Sequence, residues 1–209
     1  MYIYSATLQA KAGRGGELGA QMLPLRNAVA EATGSPAYAW VASSGGPIGS
    51  YGISTRVEGH EQLIGLQQKM GASEAYHAEA AKLADVLAQP SATSLSQIVG
   101  MAGEQGEPAA IVRLTQATIQ IGHMGDAMTW AHEVLEHVHN TTGMNGLLTN
   151  LASGNPFDLM WIFSANSGAE VDAANAALQA DTGYVGLIDK AAGFIVPGSA
   201  TRATLVQMT

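Results

Sequence analysis

The chain repeats itself. Sliding the sequence by 109 residues lays Gly13 on Gly122, Gly16 on Gly125, and Thr33-Gly34 on Thr142-Gly143. Ser44-Gly45 and Pro47 meet Ser153-Gly154 and Pro156, and Val29, Gly59 and Glu61 meet Val138, Gly168 and Glu170. The register then drops by one residue. Tyr76, Lys82 and Ser91-Ala92-Thr93 meet Tyr184, Lys190 and Ser199-Ala200-Thr201. The matches keep their order, and many fall on Gly or Pro, the residues that punctuate structure. This spacing gives two domain-sized copies, because solenoid repeats recur every ~20–50 residues. The Gly-rich stretch 100–109 reads as a linker, between a first repeat at 1–99 and a second at 110–209.

Within the second copy, β-branched residues over 111–121 predict a strand. Asp126 then precedes an apolar stripe of Ala127, Ala131, Val134, Leu135 and Val138 at helical spacing, with Gly143 as the stop. Strands are expected at 147–151 and 157–165, joined by the turn-forming Ser153-Gly154-Asn155-Pro156. A second helical region runs from 169 to 191, with a break near Gly183, and a last strand spans 200–208. The first copy predicts strands at 2–10, 37–43, 48–57 and 93–99, with helices at 17–33 and 60–87. Pro24, inside the first helix, is expected to kink it. The order β-α-β-β-α-β is that of a split βαβ, ferredoxin-like unit. Strand 157–165 is apolar on both faces, with Phe157, Leu159, Trp161 and Phe163 on one and Met160 and Ile162 on the other. Helices cover one face of such a unit, and the sheet of the other copy is expected to cover the second.

On this element order, the Ser-Gly-x-Pro hairpins, the aromatic third strand, and Tyr184 leading into Pro197-Gly198-Ser199, the chain resembles the dimeric α+β barrel superfamily. That superfamily includes antibiotic-biosynthesis-monooxygenase-like and NIPSNAP-like proteins. The resemblance spans nearly the whole chain. It implies an α+β protein of two tandem ferredoxin-like repeats packed as a pseudo-dimeric barrel, and a homo-oligomer. Its relatives include cofactor-free oxygenases, haem proteins and isomerases, and fold alone does not choose among them.

Composition narrows the field. Net charge is −8, with nine Lys+Arg in 209 residues, so neither a nucleic acid nor an anionic membrane surface is an expected partner. The chain has no cysteine, which removes thiolate metal sites and Cys nucleophiles. No secretory signal or membrane span is legible, so a cytoplasmic location is expected.

Four of the six histidines are His123, His132, His137 and His139. His132, Glu136 and His139 share a helix face, a spacing able to hold a divalent metal, although no His-Glu-x-x-His motif is present. A haem would draw an axial ligand from His123 or a helix histidine. The resemblance points to a third chemistry, cofactor-free oxygenation or isomerisation of a small apolar or aromatic metabolite. Trp130, His132, Asn150 and Trp161 are the candidate catalytic residues, and the first copy offers a separate set, Tyr4, Arg26, Trp40 and Tyr51. The second repeat, richer in His and Trp, is the expected site. No cofactor is expected, haem and divalent metal remaining as alternatives. A non-enzymatic ligand-binding or self-assembly protein is the rival reading. The repeated Tyr76/Tyr184 and Lys82/Lys190 are read as structural.

Overall fold

The computed structural model describes residues 1–104 and 106–209; Gln105, in the stretch read as a linker, lies outside them. The chain divides into two compact units, Met1–Ser96 with Val206–Thr209, and Gln97–Leu205. In the first unit, β1 (Tyr2–Gln9), α1 (Gly15–Thr33), β2 (Tyr38–Ser44) and β3 (Ser50–Val57) are followed by α2 (His60–Ala72), α3 (Glu74–Ala81) and β4 (Ala92–Ala102). The strands lie in the order β4-β1-β3-β2, and Ser5 and Ser94 hydroxyls meet at 2.8 Å between β1 and β4. The second unit repeats this with β5 (Ile111–Thr118), α4 (Met124–Thr142), β6 (Asn145–Leu151), β7 (Asp158–Ala165), α5 (Gly168–Ala180), α6 (Thr182–Lys190) and β8 (Thr201–Gln207). Its strand order is β8-β5-β7-β6. Both units are ferredoxin-like, with antiparallel pairing between β1 and β3 and between β5 and β7. Among the described residues, no helix is long and apolar enough to cross a membrane.

The matched residues of the two copies do matched work. Gly34 and Gly143 both end a helix in the left-handed region, with φ of 71° and 73°. Their N–H groups donate to Ala30 and His139 carbonyls. That conformation costs a side-chain-bearing residue, which is why both copies place Gly there. The preceding threonine completes the stop. Thr33 and Thr142 hydroxyls each donate to the carbonyl four residues back and accept from the N–H two residues on. The second helical region is broken at Ser73 and at Asp181, two residues before the expected Gly183. Each side chain caps a new helix by accepting from the N–H of Tyr76 or Tyr184.

Three boundaries differ from the sequence reading. Helix α1 begins at Gly15, two residues before the expected start, and its span to Thr33 contains Pro24. Strand β4 extends through Ala102, and Ala102 is buried in the core of the second unit. Residues 100–102 of the stretch read as a linker are therefore strand. Phe157 precedes β7, whose buried face carries Leu159, Trp161 and Phe163 against the α4 stripe. Met160 and Ile162, on the opposite face, are half-buried.

Candidate functional site

The second unit holds an open-mouthed cavity of about 480 Å³ bounded by β5, β7, β8, α4, α6 and the segment 191–200. Its walls are two indoles, from Trp130 on α4 and Trp161 on β7. The rings meet edge to face, centroids 5.3 Å apart at 82°, a favourable aromatic geometry. Trp130 Nε1 donates to the Leu187 carbonyl at 2.7 Å and Trp161 Nε1 to the Ala131 carbonyl at 3.0 Å. Backbone thus satisfies both N–H groups, and what the tryptophans offer a ligand is an apolar surface. Val134, Val138, Phe163 and Ile195 continue that surface, and Ala117 floors it.

One end is polar. Thr115, Tyr184 and Arg202 line the main cavity and also an adjoining alcove of about 120 Å³, which adds Arg113, Asn175 and Gln179. Arg202 Nε donates weakly to Thr115 Oγ1 at 3.4 Å. Among the described residues, the Arg113 side chain forms no hydrogen bond, neither arginine meets a carboxylate, and the Tyr184 hydroxyl makes no hydrogen bond. Burial lowers the pKa of Arg113 and the charge of Arg202 lowers it further, while Tyr184 acts in the opposite direction.

The first unit has a cavity in the matching place, but of only about 220 Å³. Leu8 stands where the second copy has Ala117, and Leu25 where it has Val134. Gln21 stands at the Trp130 position, and Ile53, by strand register, at the Trp161 position, so no indole walls it. Tyr76 reproduces Tyr184, and Tyr4 lies at the Arg113 position. The other first-copy candidates are held elsewhere. Trp40 donates to Ser54 Oγ, Tyr51 to the Gly15 carbonyl, and Arg26 Nε is buried without a partner.

The four candidate residues of the sequence reading therefore separate. Trp130 and Trp161 line the cavity together. His132 is not among the lining residues. Its ring packs over Gly100 of β4, where an added Cβ would come within 2.6 Å of it. Asn150 is not among them either. Its Nδ2 donates to the Pro156 carbonyl at 3.0 Å and so ties the hairpin between β6 and β7. Arg113, Arg202 and Tyr184 take their place at the cavity. The two arginines escaped the sequence reading because they are 89 positions apart and belong to no motif. The available signal was the internal repeat, which sets Arg113 against Tyr4 and Arg202 against Ser94.

The remaining histidines have structural partners or lie in the open. His137 Nε2 is 3.0 Å from Asp181 Oδ2, His139 Nδ1 is 2.9 Å from the Met144 carbonyl, and His123 is an exposed helix-start residue. Among the described residues, no group of three or more His, Asp or Glu side chains is placed to hold a metal. A haem in the cavity would most often need an imidazole ligand. None of the lining residues is a histidine, so the residues present do not fit that group.

Solved structures place this arrangement in context. A Fusobacterium nucleatum protein provisionally named a monooxygenase superposes with a TM-score of 0.71 at 9% identity, over 100% of this chain and 92% of its own. The fold is shared from end to end. An anthrone oxidase-like protein gives 0.65 at 11% identity, over 100% of this chain and 91% of that one. A Listeria monocytogenes ferredoxin-fold protein related to antibiotic biosynthesis monooxygenases gives 0.53 at 10%, over 100% and 96%. No protein-family model matches the sequence, and no curated protein does. The chain is thus two tandem ferredoxin-like repeats with the fold of the monooxygenase-like proteins, at identities that speak to fold alone.

Proposed function

We propose that the second unit is a cofactor-free, oxygenase-like catalytic unit acting on a small aromatic metabolite, with the first unit as its diverged structural twin. One observation carries this reading: the cavity walled by Trp130 and Trp161 is about twice the volume of its counterpart in the first unit. It also falls in the size range of small-molecule sites, which are mostly apolar with a few placed polar groups. The names of several structural neighbours point the same way.

The chemistry suited to such a cavity is oxidation of an activated methylene between aromatic rings. Loss of a proton gives a delocalised carbanion, and dioxygen adds to that carbon. The carbon keeps one oxygen as a carbonyl, and the other leaves as water with the two hydrogens. The indole walls would hold the rings flat and exclude water. The guanidinium end would stabilise the enolate oxygen as charge develops. Tyr184, with its hydroxyl uncommitted, is the group placed to bond that oxygen or relay its proton.

The test is oxygen consumption by purified protein across a panel of tricyclic phenols and anthrones. Substrate-dependent uptake that Ala117→Leu suppresses, with folding intact by circular dichroism, supports the reading. A rival reading is a binding protein of the same fold. It is favoured by the lack of any carboxylate or imidazole among the described lining residues, which leaves no strong base for the first proton transfer. Saturable binding without oxygen uptake would select it. Isomerisation of a bound ligand without uptake would select the isomerase-like alternative.

A further inference from the structure

We infer that the ligand of the second-unit cavity is an aromatic anion carrying a carboxylate, seated with its rings against the surface formed by Trp130 and Trp161 and its carboxylate in the alcove lined by Arg113 and Arg202. This deepens the functional reading above and rests on the same cavity.

The argument begins with where the chain spends its few cations. Nine Lys+Arg are set against 17 Asp+Glu, so acids are available to pair nearly every base. Yet Arg113 and Arg202 line one alcove, and none of its lining residues is acidic. Neither takes part in an ion pair among the described residues. Two like charges lining one recess repel each other, and the half-buried Arg113, unlike the exposed Arg202, also loses hydration. Burial, and next the charge of Arg202, lower the pKa of Arg113. A fold that needed only to be stable would place a carboxylate or apolar side chain there. An anion arriving with the ligand removes the cost on both counts, and planar guanidinium groups suit a carboxylate's two oxygens.

The surroundings agree. The alcove also carries the Asn175 and Gln179 side chains and the hydroxyl-bearing Thr115 and Tyr184, all able to donate to an anionic oxygen. It adjoins the apolar cavity through shared walls at Thr115, Val138, Phe163 and Tyr184. Together they shape an amphipathic ligand with a compact polar head and a flat apolar body. The twin cavity supplies the internal control. There Tyr4 lies at the Arg113 position, and no cation is among the described lining residues. Both cations belong to the copy with the enlarged cavity.

Calorimetric titration with a matched pair tests this: 2-naphthoate against its neutral analogue 2-naphthalenemethanol. The carboxylate should bind about tenfold or more tightly, the margin expected of charge-assisted hydrogen bonds. That preference should shrink as salt rises. Arg113→Met with Arg202→Met should abolish the preference while leaving the neutral analogue's affinity unchanged, and Arg113→Lys with Arg202→Lys should retain part of it. Equal affinity of the two probes for wild type overturns the anion assignment and leaves the cavity as an apolar site. Binding of neither probe, with unchanged Trp fluorescence, overturns the cavity reading itself.

Discussion

The break in the second helical region is set by one carboxylate, and that carboxylate titrates abnormally. Asp181 accepts from the Tyr184 N–H at 3.0 Å, from Thr141 Oγ1 at 3.1 Å, and lies 3.0 Å from His137 Nε2. These bonds, the backbone one first and His137 next, lower its pKa from 3.8 to about 2. The sign follows directly: the folded state binds the proton less tightly than the unfolded chain. The Asp181 contribution is therefore complete above about pH 4 and is lost as pH falls toward 2. Melting temperature measured between pH 5 and pH 2 should fall, and Asp181→Asn should flatten part of that fall. An identical profile for the variant would show that Asp181 does not govern it. A second residue-scale expectation concerns His132. Because its ring covers Gly100 rather than facing the cavity, His132→Ala should leave 2-naphthoate affinity unchanged within twofold. A tenfold loss by calorimetry would return His132 to the site.

Strands and helices were largely legible because their signals are local. Thr33-Gly34 and Thr142-Gly143 announce helix stops through backbone geometry that few other residues adopt, and both stops formed where expected. The Ser-Gly-x-Pro turns did the same for the hairpins, with Gly45 and Gly154 in the positive-φ region. Element ends were less legible. Strand β4 continues into Gly-rich sequence because Ala102 gains burial in the second unit, a tertiary effect that no local pattern carries. Packing between strands was not legible either. Gly146 on β6 stands opposite Phe163 on β7, and a Cβ there would lie 2.6 Å from the Phe163 ring and 2.8 Å from Leu135 Cδ1. The glycine makes room for a ring that walls the cavity. Gly146→Ala should therefore cost about 1–3 kcal/mol, the usual range for overpacking a filled core. Chemical denaturation measures this directly, and a neutral outcome would mean that the Phe163 ring shifts freely.

At the scale of the whole molecule, the duplication turns one chain into its own comparison. Both units keep the frame of the cavity: a helix stripe, a capped second helix with Tyr76 or Tyr184, and matching strands. They differ in what fills it. The first places Leu8 and Leu25 in the space, and the second opens it with Ala117 and Val134, walls it with tryptophans and lines its polar end with arginines. Sequence inspection weighed histidines and tryptophans. It found Trp130 and Trp161 because Trp is conspicuous, and it missed the arginines because only the three-dimensional alcove brings them together. If volume and charge are separable, each can be moved independently. Leu8→Ala in the first unit should enlarge that cavity at a cost of about 2–5 kcal/mol, as for other buried Leu→Ala changes. It should not create a preference for 2-naphthoate over 2-naphthalenemethanol, because no cation is among the described residues that line that cavity. Adding Tyr4→Arg to that variant should confer part of the preference on the first unit, read in an Arg113→Met, Arg202→Met background where the native site shows none. A preference appearing with Leu8→Ala alone would make cavity volume, rather than the two guanidinium groups, the source of anion selectivity.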